Sequence, residues 1–80
     1  MGFAKSEAEW AERASRHLKA ELKRAGLTYD ELAERIKKHG FKDETKASIT
    51  NKLARGTFSA PFFLAALVAI GAEIVRLEEI

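Results

Sequence analysis

Residues 27–56 read LTYDELAERIKKHGFKDETKASITNKLARG, and the two short amphipathic patterns in this stretch decide the fold. The first opens with Thr28-Tyr29-Asp30-Glu31, a capping box in which a threonine hydroxyl and a glutamate carboxylate satisfy each other's backbone N–H groups. Leu27 and Leu32 flank it as a hydrophobic staple. Leu32, Ala33 and Ile36 share one helical face. The pattern stops at Gly40, with Phe41 placed to fold back on Ile36 in a Schellman motif. The second pattern is predicted to run from Asp43 as N-cap to Gly56, with Glu44 favourable in its first turn. It carries only Ile49 and Leu53 as large apolar anchors.

Working outward, a longer helix precedes this pair. Ser6-Glu7-Ala8-Glu9 reads as another capping box. Trp10, Ala14, Leu18, Leu22 and Ala25 recur at helical spacing up to Gly26. Beyond the pair, Ser59 and Pro61 open a fourth helix, FFLAALVAI, that stops at Gly71. It is apolar on every face, so either the other helices wrap it or a second copy of the chain covers its outer side. Phe62 and Phe63 with the aliphatics after them could line a ligand pocket, but core or dimer interface is the commoner use of such a block. The tail, residues 72–80, fits a short helix through Ile74, Leu77 and Ile80 or a short strand at Ile74-Val75. The expected architecture is therefore all-α: one compact domain over residues 1–80, a four- to five-helix bundle with core 6–71 and a short helical or extended tail 72–80.

Eighty residues with no cysteine make a small core without disulfide or thiolate–metal support. The first ten residues lack the apolar stretch of a signal peptide. The run 60–72 falls short of the roughly 20 residues that span a bilayer, so a soluble, cytoplasmic protein is expected. Residues 1–57 carry 13 Lys/Arg against 9 Asp/Glu, whereas residues 58–80 carry 1 against 3. A basic body with an acidic tail is compatible with a polyanionic partner.

With Ile49 and Leu53 turned inward, 100° per residue places Ala47, Ser48, Asn51, Ala54 and Arg55 outward, with Lys46 and Lys52 on the flanks. Small residues allow close approach, asparagine can pair with adenine and arginine with guanine, and lysines reach phosphates. The same pattern also suits a plain solvated helix face. The N-terminus of the preceding helix, with the hydroxyls of Thr28 and Tyr29, makes a phosphate site, although Thr28 needs no ligand to act as a cap. His17 and His39 lie on different helices and read as solvated side chains, so neither a metal site nor a cofactor is expected. The pairs Asp30/Glu31 and Asp43/Glu44 suit helix N-termini, and no nucleophile–base order or glycine-rich phosphate loop occurs, so no enzyme is expected.

These residues resemble the lambda-repressor-like helix-turn-helix domains of the XRE or Cro/C1 kind. Leu27-Thr28-Tyr29 with Leu32-Ala33 is similar to the opening of that pattern, Leu53-Ala54-Arg55-Gly56 followed by Pro61 to its centre, and residues 67–71 to its closing helix. Tyr29 stands where that family often has a DNA-clasping glutamine, Ala54 stands where it has an acid, and the stretch between Ile36 and Ile49 is lengthened. The resemblance implies a helix-turn-helix bundle that binds double-stranded DNA as a small transcriptional regulator. Ser48, Asn51 and Arg55 would read bases, with Thr45 at the helix start. Lys42, Lys46, Lys52, Thr28 and Tyr29 would grip phosphates. A homodimer would form through Phe62, Phe63, Leu64, Leu67 and the 72–80 tail. The alternative is a protein-interaction or dimerisation module that keeps the fold without binding DNA.

Overall fold

The computed structural model describes residues 3–80, which form four α-helices, two single 3₁₀ turns and, among the described residues, no strand. The helices are α1 (Glu7–Ala25), α2 (Tyr29–Ile36), α3 (Lys46–Arg55) and α4 (Ala60–Ile70). α1 packs across α3 and α4, and α2 packs against the same two helices from another side. The core is built from Leu18 and Leu22 of α1, Leu32, Ala33 and Ile36 of α2, Ile49 and Leu53 of α3, and Phe62, Ala66, Leu67, Ala69 and Ile70 of α4. No single helix among the described residues is long and apolar enough to cross a membrane.

Local chemistry explains the helix ends. Thr28 and Glu31 form the full reciprocal capping box of α2, at 3.2 and 3.0 Å. α2 then tightens into a 3₁₀ turn at Lys37–His39 instead of running as α-helix to Gly40. The Schellman pairing is nevertheless made: the Phe41 N–H donates to Ile36 O and the Gly40 N–H to Lys37 O. At α1 only half of the expected box forms. Ser6 Oγ accepts from the Glu9 N–H, but the Glu9 carboxylate accepts from the Lys5 N–H, one residue earlier than the cap.

Further outcomes differ from expectation or sharpen it. α3 starts at Thr45, not Asp43, because Thr45 and Ser48 make their own capping box at 3.1 and 2.8 Å. Trp10 lies outside the core, stacked on Phe3 with ring centroids 6.3 Å apart. α1 is 19 residues long, about 28 Å, so its first turns overhang helices of 8–11 residues. α4 is wrapped on most sides but not all: Leu64 and Val68, one turn apart, are 62% and 59% exposed. Phe62 and Leu67, expected at a dimer interface, are interior instead. Of the two forms open for the tail, the short helix is present, as a 3₁₀ turn at Leu77–Glu79 after an irregular stretch over 72–76. Arg13 Nη1 of α1 donates to Ile80 O and ties the tail down.

Candidate functional site

α3 docks through two side chains. Ile49 and Leu53 are 0% and 1% exposed, whereas Lys46, Ala47, Thr50, Asn51, Ala54 and Arg55 are exposed. Nine residues, 37–45, separate α2 from α3, against the 3–4 of a tight helix-turn-helix. The pose of α3 therefore has to be set by contacts outside the turn.

At its N-terminal end Glu44 turns inward to 8% exposure. Its carboxylate accepts from the Lys52 ammonium through Oε2 and from Ser48 Oγ through Oε1, the latter at 2.6 Å. Lys52 Nζ also sits 4.8 Å from the centroid of the Phe62 ring, a cation–π contact to α4. Phe41, just after the Schellman turn, meets Phe62 edge-on with centroids 5.9 Å apart. At the C-terminal end the buried Ser15 hydroxyl of α1 donates to Leu53 O. Finally, Gly56 caps α3 with φ +70° directly against the Ala11 carbonyl of α1. These contacts fix both ends of α3 on α1 and α4.

The expected site residues divide accordingly. Asn51, Arg55, Lys46 and Lys42 are exposed, and among the described residues Asn51, Arg55 and Lys42 make no side-chain hydrogen bond or ion pair. Thr28 is exposed at the start of α2, while Tyr29 packs half-buried against the core. Four residues are engaged inside the fold, Thr28 among them as the N-cap of α2. Thr45 is the N-cap of α3. The Ser48 hydroxyl is used by the cap and by Glu44, and Lys52 is held by Glu44 and Phe62. Helical facing turns Ser48 outward, but it is half-buried, and its first-turn position commits the hydroxyl to the backbone and to Glu44. Lys52 lies on the flank that faces α4.

Sequence reasoning missed two cations. Arg16 and Lys19 of α1 line the same shallow depression as Ala54 and Arg55 of α3. They widen the basic surface beside the exposed face. Their signal was present, since they are exposed cations on either side of the packed face of α1, but only the α1–α3 crossing brings them next to Arg55. Among the described residues no group of three or more His, Cys, Asp or Glu is placed to hold a metal ion.

Burial works against the charged form of Glu44, but the hydrogen bonds from Lys52 and Ser48 and the Lys52 charge outweigh it. The carboxyl is held below the ordinary value of 4.5. A carboxyl depressed in the folded state contributes stability above its unfolded value and loses it as pH falls through the folded one. Glu44→Gln should therefore destabilise the domain at pH 7, and the difference from wild type should shrink as the pH drops below 4.5. Urea midpoints measured across that range check this; a difference independent of pH would contradict it. Glu31, lowered first by the Thr28 backbone N–H, adds a slope of the same sign that Glu44→Gln leaves in place.

No curated protein and no solved structure matches this sequence. A family model described as a domain of unknown function, DUF6471, matches residues 10–75, which run from the first turn of α1 through α4 into the tail, and the chain belongs to that family.

Proposed function

We propose that this chain is a DNA-binding helix-turn-helix module of a small transcriptional regulator, related in design to the lambda-repressor-like domains. The observation that carries the reading is the outer face of α3. Asn51 and Arg55 have no partner among the described residues, and Ala47 and Ala54 are small enough for a groove floor. Lys42 and Lys46 at one end, and Arg16 and Lys19 of α1 at the other, supply phosphate contacts. Thr28 and Tyr29 place the N-terminus of α2 toward the backbone. Lys52, Ser48 and Thr45 position α3 rather than touch DNA. In a homodimer formed by the exposed Leu64 and Val68 of α4, the two α3 helices would read half-sites about 34 Å apart.

Asn51→Ala should weaken binding to a cognate duplex by about 1–3 kcal/mol and relax preference at one base pair, while the unfolding midpoint stays at the wild-type value. Fluorescence anisotropy with a panel of single-base variants measures both. Equal loss on every sequence would assign Asn51 to the backbone, and loss of folding would reverse the facing of α3.

One observation favours a second reading. The Leu64/Val68 stripe is apolar and exposed whereas the net charge is only +2, as in an interaction module that has lost DNA binding. Such a module would self-associate and show no duplex binding at about 50 mM salt, where a DNA binder is tightest.

A further inference from the structure

A groove of about 580 Å³ separates α1 from the tail and shares Arg16 with the α1–α3 depression. Its volume falls in the range that small-molecule sites occupy. Arg13, Arg16 and Arg24 project into it from α1 and Arg76 from the tail, against the carboxylates of Glu21 and Glu79. Arg24 is paired with Glu21 at 3.0 Å, and Arg13 donates to Ile80 O. Arg16 and Arg76 have no partner among the described residues. The groove therefore holds more guanidinium than its own carboxylates satisfy.

A second observation points the same way. His17 also lines the groove, and its Nε2 is buried without a hydrogen-bond partner among the described residues. A buried polar atom left unmatched costs stability unless something pairs with it. His17 therefore departs from the solvated histidine expected of the sequence. Its ring leans on Phe63, with centroids 6.3 Å apart, which backs the imidazole from the core side. The remaining wall is apolar, formed by Ala20, Ile74 and Ile80.

We propose that this groove binds a phosphate monoester with a small apolar body. Two guanidiniums lacking partners call for a dianion, which a phosphate monoester approaches near pH 7 and a single carboxylate does not. The planar guanidinium fork suits phosphate oxygens. His17 Nε2 is inaccessible as the ring stands, so its hydrogen bond to the ligand requires the imidazole to turn toward the groove; the aliphatic wall covers the ester group. The groove shares Arg16 with the proposed DNA surface, but Arg76 and His17 do not line the α1–α3 depression, so a test at Arg76 distinguishes this inference from DNA binding.

The test is calorimetric titration of the full chain with phenyl phosphate, with inorganic phosphate and benzoate as the head-only and monoanionic comparisons. Phenyl phosphate should saturate with half-occupancy at or below about 1 mM, and should bind more tightly than either comparison. Arg76→Gln should weaken it at least tenfold, with Arg76→Lys in between and the unfolding midpoint of both variants unchanged, since Arg76 is exposed. The His17 side-chain nitrogen resonance should shift on saturation. Absence of saturation overturns the proposal, as does binding that Arg76→Gln leaves intact. If Arg76→Gln weakens duplex DNA instead while phenyl phosphate fails to bind, the groove is a contact for nucleic-acid phosphate and the proposal is equally overturned.

Discussion

Gly56→Ala should remove a large part of the domain's stability, although it adds a single methyl group. Two costs coincide at this position. The residue has φ +70°, a left-handed conformation that costs a non-glycine residue about 1–2 kcal/mol. A Cβ there would also overlap the carbonyl oxygen of Ala11 and fall 2.7 Å from its carbonyl carbon. Neither atom belongs to a flexible side chain, so α1 and the end of α3 must separate, at about 1–3 kcal/mol more. The sum, about 2–5 kcal/mol, is a large part of the roughly 4–12 kcal/mol available to a domain of this size. Gly26→Ala is the internal control. Gly26 has φ +71° with nothing near the added atom, so only the conformational cost of about 1–2 kcal/mol applies. Urea unfolding of the two variants should separate them clearly. Equal destabilisation would mean that α1 and α3 do not meet at Gly56.

Phe62→Ala should be at least as damaging, at about 3–5 kcal/mol. Phe62 is interior, and its ring is a meeting point. Phe41 contacts its edge, Phe58 lies 5.5 Å away between centroids, and the Lys52 ammonium rests on it. Truncation opens a cavity and also removes the ring on which Lys52 of α3 rests. Leu64→Ala, two residues along the same helix but mostly exposed, should stay within about 0.5 kcal/mol of wild type at a dilution where the chain is monomeric. Thermal unfolding of the pair decides the matter. Similar midpoints would show that the inward face of α4 has been assigned to the wrong residues.

What was legible in the sequence was local. The Thr28/Glu31 box, the Phe41–Ile36 return and the facing of Ile49 and Leu53 each depend on residues a turn or two apart, and each is present. The start of α3 shows where local rules tie. Asp43-Glu44 and Thr45-x-x-Ser48 are both acceptable beginnings, and the choice was made at a distance. Lys52 and the Phe62 ring draw Glu44 inward, leaving Thr45 to cap. Trp10 matched the apolar stripe of α1, but a stripe does not say how far the partner helices extend. The contacts of Ser15 with Leu53 O and of Gly56 with Ala11 join residues 38 and 45 positions apart, and no periodicity reports them. The tail showed no clean period because it is irregular up to its single 3₁₀ turn, held instead by Arg13. At the site itself, residue type and facing were readable for Asn51 and Arg55. The engagement of Ser48 and Lys52 was not, because it depends on where Glu44 goes.

The claim on which the functional account rests is that the exposed face of α3 reads duplex DNA. The direct measurement is selection of bound sequences from random duplex DNA, with affinity for the enriched site followed as salt is raised. The account predicts an enriched palindromic motif and a log-linear fall in affinity with salt whose slope, about 0.9 per phosphate, implies several phosphate contacts. A pool that stays random, together with no detectable binding at about 50 mM salt, would contradict it.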